Sequence, residues 1–131
     1  MSQAVPTHPA DTYQEGAGVQ VSDLSRHDVV VILSNAPDML LAKRIVHMLV
    51  EERLAACVNL GAPGLSMYMW QDTLEGAEEI PITIKTTGSR AQALIERLRA
   101  LHPYEVPEVL VLPVLGGTDD YLAWVRAQVQ D

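Results

Sequence analysis

The segment from His102 to Glu108 places an imidazole, a phenol and two carboxylates within seven residues, directly after a helical pattern of apolar residues. Pro103 and Pro107 stiffen the segment, which lowers the entropy lost when its polar groups hold a ligand. A structural role is the alternative, in which His102 and Tyr104 bond strand ends to a neighbouring loop. The segment therefore predicts either a ligand site or a structural polar cluster.

The chain has a single cysteine, Cys57, in an apolar stretch between Ala56 and Val58. A lone cysteine in such a stretch is most often a small buried residue. As a metal ligand it favours copper or zinc, particularly beside an imidazole. The sequence contains no closely spaced pair of Cys or His residues, so a metal site has to be assembled from distant segments or between subunits.

Lys85 and Arg90 flank a run of hydroxyl residues and one glycine, at the place where a helix is predicted to begin. The amide groups of a helix N-terminus, flanked by these two cations, can receive a carboxylate or a phosphate. An ordinary helix cap with solvated charges also explains these residues and is the favoured interpretation.

The aromatic residues of the chain, which has no Phe, carry a polar handle that suits a partly wet interface. Beyond the N-terminal region they are Tyr68, Trp70, Tyr104, Tyr121 and Trp124. The formal charge of −8 disfavours stacking on nucleic-acid bases. We therefore expect these rings to pack in the core or at an interface.

Hydrophobic periodicity, Gly and Pro predict the elements that position these groups. Residues 1–27 lack an apolar period and are expected to form a mobile extension. The remaining predictions are a strand at 28–34, a helix at 38–54, a strand at 55–60 with a bend at 61–64, an extended segment at 65–71, an acidic hairpin loop at 72–79, a strand at 80–86, a helix at 90–101, an extended segment at 106–114 and a terminal helix from Thr118 or Asp119 to Val129.

This order of elements predicts an α+β domain over residues 28–131 with a ferredoxin-like split βαβ fold. An antiparallel sheet has two helices on one face, and a C-terminal helix is appended. Pro81 is expected at a strand start or on an edge strand, because proline lacks the ladder donor. The other sheet face is left bare although Met67, Met69 and Trp70 are apolar, so other subunits are expected to cover it.

Composition narrows the function classes. The 131 residues fit one domain, and 17 acidic against 9 basic side chains disfavour nucleic acid and anionic membranes as partners. A single cysteine cannot form an internal disulfide, so the protein does not require an oxidising compartment. The sequence also has neither a membrane-length apolar run nor a signal peptide. Together these features favour the cytoplasm. No phosphate-binding loop, dinucleotide motif or nucleophile elbow is present, so the sequence supports neither an enzyme nor an organic cofactor.

Several stretches together resemble the CutA family of divalent-cation tolerance proteins. They are Asn35-Ala36-Pro37-Asp38, Leu54-Ala55-Ala56-Cys57-Val58-Asn59, Pro63-Gly64-Leu65-Ser66-Met67-Tyr68-Met69-Trp70, Ile84-Lys85-Thr86-Thr87, His102-Pro103-Tyr104-Glu105-Val106-Pro107-Glu108 and Tyr121-Leu122-Ala123-Trp124-Val125. The resemblance implies a tight homotrimer of ferredoxin-like subunits that acts in tolerance of copper and other divalent cations. It also implies an architecture similar to the PII signalling proteins, with a small-ligand cleft between subunits.

Carried over by position, the resemblance implies metal or cleft residues. The suggested metal ligands are His102, Glu105 and Cys57 for copper(II) or another divalent cation, with Tyr104, Trp70, Lys85 and Trp124 nearby. Some relatives have a second cysteine where this chain has Ser34, which weakens the case for a thiolate-rich copper site. Two alternatives remain: a sensor that binds a small anion through Lys85 and Arg90 in the cleft, and an interaction trimer with no ligand of its own.

Overall fold

The computed structural model of the chain describes Leu24 and residues 28–130. The remainder of the extension predicted at 1–27 lies outside the described residues. Leu24 itself is buried and packs in the main hydrophobic core.

The chain forms five strands and three helices. Their bounds are β1 Val29–Ala36, α1 Met39–Glu51, β2 Cys57–Leu60, β3 Gly64–Trp70, β4 Thr73–Thr87, α2 Gly88–Leu101, β5 Leu110–Pro113 and α3 Asp119–Gln128.

The strands build one antiparallel sheet in the order β2-β4-β1-β5, and β3 also pairs with β4. Taken together, β2 and β3 are a single strand interrupted at residues 61–63. The sheet then has the strand order of the ferredoxin-like split βαβ fold, with α1 and α2 as its two crossover helices. The predicted α+β class and fold are confirmed.

Alternation along the two central strands separates the faces of the sheet. Ile32 of β1 and Ile84 of β4 are partners in the ladder and are fully buried in the core that the two crossover helices share. The helices contribute Ile45 and Leu49 from α1 and Leu94 and Leu98 from α2. On the opposite face α3 packs Val125 and Val129 against Val29 and Ala56.

The starts of α1 and α3 follow from their capping residues, whereas Thr87 at the start of α2 makes no side-chain capping hydrogen bond. Asp38 Oδ1 accepts the N–H of Leu41 at 2.8 Å, and Thr118 Oγ1 accepts the N–H of Tyr121 at 3.4 Å. Of the two predicted caps for the terminal helix, Thr118 is the one used.

The predicted hairpin loop at 72–79 is wrong, because residues from Thr73 onward continue β4. The turn consists of Gln71 and Asp72 alone, with φ of 51° and 63°. Gly76, which suggested a loop, lies opposite Met67 in the ladder. We call residues 64–79 the hairpin arm, because this part of β4 pairs with β3 and not with β1.

The expected position of Pro81 is also wrong, since it lies inside β4 between two neighbouring strands. Its carbonyl oxygen accepts the N–H of Gly61 at 3.0 Å. In an antiparallel strand the N–H and C=O of one residue point to the same side. The missing donor of Pro81 therefore faces the interruption between β2 and β3, where the ladder has no need of it.

The sheet face opposite α1 and α2 remains partly uncovered, as predicted. Leu110 and Leu112 of β5 are 55% and 44% exposed on this open sheet face. Cys57 of β2 and Lys85 of β4 are paired on the same face. Within the part of the chain that the structure describes, no helix is long and apolar enough to cross a membrane.

Candidate functional site

His102 is buried at the end of α2, and both of its ring nitrogens have hydrogen-bond partners. The N–H of Tyr104 donates to Nδ1 at 3.1 Å, so Nδ1 carries no proton. In the neutral imidazole the proton is then on Nε2, which donates to the carbonyl oxygen of Asn35 at 2.7 Å. His102 thus joins the end of β1 to the segment after α2, and a metal could bind it only if one of these bonds were given up.

Glu79 is a second buried polar residue at this place, and it is not among the residues predicted from the sequence. It is 5% exposed, its Oε1 accepts from Asn35 Nδ2 at 3.2 Å, and its Oε2 accepts from the Tyr104 hydroxyl at 3.1 Å. Asn35 Nδ2 also donates to Glu108 Oε1 at 3.0 Å. We call Asn35, Glu79, His102, Tyr104 and Glu108 the Asn35 cluster.

Negative charge is concentrated around this cluster. Burial raises the pKa of the Tyr68 hydroxyl, and the carboxylates of Glu79 and Glu75 raise it further. None of the ion pairs found among the described residues includes Glu79 or Glu108. The side-chain oxygen of Asn35 is buried and has no hydrogen-bond partner within residues 28–130 or Leu24.

The three predicted metal ligands are not brought together within one chain. Cys57 is half-buried and opposite Lys85 in β4, whereas Asn35, beside His102, is opposite Pro81. Those β4 positions are four residues apart, or about 13 Å along the strand. Glu105 is exposed, and within the described ranges no group of three or more His, Cys, Asp or Glu side chains is arranged to hold a metal ion.

Lys85 belongs to a different arrangement, formed with α3. Its ammonium nitrogen lies 5.9 Å from the centroid of the Tyr121 ring, a cation–π contact. The Tyr121 and Trp124 rings are stacked with centroids 5.7 Å apart, and these side chains are 41% and 43% exposed. Lys85 and Trp124 are therefore neighbours through Tyr121, which the predicted cleft residues did not include.

The other predicted cleft residues lie elsewhere. Arg90 Nη2 donates to the carbonyl oxygen of Arg53 at 3.2 Å, and the first amide of α2, that of Gly88, donates to Asp28 at 3.2 Å. Trp70 is opposite Thr73 at the end of the hairpin arm, twelve residues from Lys85 along β4. That is about 40 Å along an extended strand, so one copy of the chain cannot place Trp70 and Lys85 in one cleft.

Comparison with known proteins identifies relatives along most of the chain. The family model described as CutA1 divalent ion tolerance protein matches residues 30–128. A protein of Pectobacterium atrosepticum named Divalent-cation tolerance protein CutA is 46% identical over 110 residues, which are 84% of this chain and all of that protein.

Solved structures agree with this match. The crystal structure of CutA from Xylella fastidiosa has 42% sequence identity and a TM-score of 0.77, over 79% of this chain and 99% of that one. The divalent cation tolerance protein Cut A1 from Thermus thermophilus has 41% identity and a TM-score of 0.75, over 78% and 99% of the two chains. This chain therefore belongs to the CutA1 family of divalent ion tolerance proteins.

Proposed function

We propose that this chain acts in the tolerance of divalent metal ions by binding copper(II) or another divalent cation, as a homotrimer in the cytoplasm. The observation that carries the proposal is family membership across residues 30–128, together with curated relatives that are named for divalent-cation tolerance. The formal charge of −8 supports it as well, because an acidic surface concentrates cations.

The proposed ligands are Cys57, His102 and Glu105, contributed by more than one subunit. Their separation within a single chain is what requires the shared site. Cys57 forms no disulfide and is half-buried on the open sheet face, and Glu105 is exposed. Binding at His102 replaces its hydrogen bond to Tyr104 or to Asn35, and a soft or borderline ion such as Cu²⁺ supplies the affinity for this exchange.

Calorimetric titration of the metal-stripped protein with Cu²⁺ and then Zn²⁺ tests the proposal. We expect saturable binding at a fixed ratio per chain, weakened by at least about tenfold in His102→Ala and in Cys57→Ser.

His47→Ala is the matched control, because His47 is an exposed imidazole on α1 whose Nε2 lies 3.4 Å from Glu51 Oε1. Its loss should leave the binding curve unchanged. If His47→Ala removes copper binding while His102→Ala does not, copper binds the surface of α1 and the proposed ligand set is wrong.

A second candidate function is the binding of a small anion that carries a planar ring. The contact of Lys85 with the exposed Tyr121 ring, which stacks on Trp124, favours it, since a cation beside stacked rings suits such a molecule. In a thermal-shift screen of anionic metabolites we expect a stabilising compound whose effect disappears in Lys85→Ala and persists in Lys43→Ala, an exposed lysine on α1. If both variants lost the stabilising effect equally, the compound would be responding to the net charge of the protein and not to a site at Lys85.

A further inference from the structure

The C-terminal helix α3 is attached to the sheet through a small apolar group of its own. Val125, and Val129 at the C-terminal cap of the helix, pack against Val29 and Ala56. No described residue of α3 belongs to the main core that α1 and α2 share with the sheet. A segment with few buried apolar contacts opens at a lower free energy than the core does, so α3 can separate while the rest of the domain stays folded.

The polar contacts near the C-terminal end of α3 lie at the surface. The Arg126 guanidinium pairs with Asp28, and these side chains are 43% and 57% exposed. Arg53 Nη1 donates to the carbonyl oxygen of Gln128 at 3.2 Å, also at an exposed position. Water competes for the groups at such positions, so these contacts add little to the free energy that holds α3 in place.

Residues 115–117 lie between the last strand and α3 and make little contact with the domain. Leu115 is 99% exposed, and a Cβ atom built on Gly116 would meet nothing within 4 Å. A Cβ atom on Gly117 would meet only Leu122, which belongs to α3 itself. Loop positions of this kind absorb the dihedral changes of a hinge, and glycine does so at the least steric cost.

The helix also supplies half of the arrangement at Lys85. This lysine lies in β4, whereas Tyr121 and Trp124 lie on α3. The ammonium nitrogen is 5.9 Å from the centroid of the Tyr121 ring, and that ring stacks on Trp124. Separation of α3 from the sheet carries both rings away from Lys85, so the arrangement exists only while the helix is docked.

We infer that α3 is a hinged helix, which separates from the sheet as a unit about residues 115–117 and thereby takes apart the arrangement at Lys85. A planar anion that contacts Lys85 and the two rings binds the docked state alone and shifts the helix toward that state. This coupling rests on the anion binding that is the second candidate function, whereas the separation of α3 is a property of the protein without a ligand.

Native-state hydrogen exchange of the full chain, followed amide by amide by NMR, measures the opening of each helix. We expect the amides of α3 to share one protection factor, lower than those of α1 and α2 by at least about a hundredfold. The inference is overturned if α3 is protected as strongly as α1 and α2. It is equally overturned if protection falls gradually toward Gln128, because that gradient is fraying of the chain end and not separation of the helix as a unit.

The substitution Val125→Ala tests whether the small apolar group holds the helix. Val125 is fully buried, and the loss of two methyl groups weakens the docked state, so the α3 amides should exchange at least about fivefold faster. Val50→Ala is the matched control, since Val50 is 42% exposed on α1 and undergoes the same change within a helix. It should leave the exchange of α3 unchanged. An equal effect of the two substitutions would show that this group does not hold the helix, contrary to the inference.

The planar aromatic anion 2-naphthoate is the probe for the coupling to Lys85. Compared with the same protein without the probe, it should slow the exchange of α3 in the wild type and in Lys43→Ala, and should have no effect in Lys85→Ala. Slower exchange in Lys85→Ala as well would place the anion elsewhere and contradict the coupling.

The two readouts separate the hinged helix from the anion binding. If 2-naphthoate does not slow the exchange in the wild type although α3 opens as a unit, the coupling and the anion binding fail while the hinged helix stands. If α3 stays docked, the hinged helix is wrong, and the thermal-shift screen alone decides on anion binding.

Discussion

At the scale of single residues, the contact between Gly61 and Pro81 explains how a proline is accommodated inside a central strand. A Cβ atom built on Gly61 would lie 2.7 Å from Pro81 Cγ, and neither of the glycines at 61 and 64 has positive φ. Glycine is therefore required at 61 for space rather than for backbone conformation. The missing side chain lets the strand approach close enough for the Gly61 N–H to reach the Pro81 carbonyl.

Gly61→Ala should lower the free energy of unfolding by about 1–3 kcal/mol, because the added methyl overlaps the proline ring. Gly64→Ala is the control: a Cβ there meets nothing within 4 Å, so the substitution should be neutral or stabilising by up to about 1 kcal/mol. Urea unfolding at one fixed protein concentration measures both. Adding Pro81→Ala to Gly61→Ala should recover much of the loss, and an equal effect of the two glycine substitutions would disprove the steric explanation.

The candidate site shows how far residue types alone can be interpreted. The sequence singled out His102 and Tyr104 and left open whether they bind a ligand or support the structure, and the structure places both in one buried cluster. Glu79 was not predicted as a site residue because it belongs to an acidic stretch that is typical of a solvent-exposed loop. Its burial depends on tertiary contacts with Asn35 and Tyr104, which no local pattern encodes.

At the scale of elements, the helices were predictable because their signals are local. The apolar period of α1 and its Asp38 cap, and the Thr118 cap of α3, lie within a few residues of the helices they define. Strand limits depend on partners instead. The predicted segment at 106–114 forms a strand only at Leu110–Pro113, the four residues for which β1 offers a partner.

In the hairpin arm, too, the limits of the strands depend on their pairing partners. The alternation of β3 was visible in the sequence, but its partner in β4 was hidden by glutamates and Gly76. The two-residue turn also lacks the Asn-Gly or Asp-Gly pair that usually marks such hairpins. Gln71 and Asp72 adopt positive φ there because pairing on both sides of the turn holds them in that conformation.

At the scale of the whole molecule, a single copy leaves two apolar surfaces exposed. One face of the hairpin arm presents Leu65, Met67, Met69 and Leu74, which are 57% to 68% exposed. The open sheet face presents Leu110 and Leu112. Apolar surfaces on an arm and on an unshielded sheet are typical of subunit interfaces, so both support the proposed homotrimer.

Light scattering coupled to size exclusion should therefore give a mass of about three times the 14.3 kDa chain. Met67→Glu places a charge on the exposed face of the arm, and if that face is buried between copies, burying the unpaired charge should dissociate the assembly. Leu40→Glu is the matched control, since Leu40 is 82% exposed on α1, away from both surfaces. A monomeric wild type would refute the trimer. A trimer that survives Met67→Glu would show that the arm is not the contact, and the open sheet face would then have to form it.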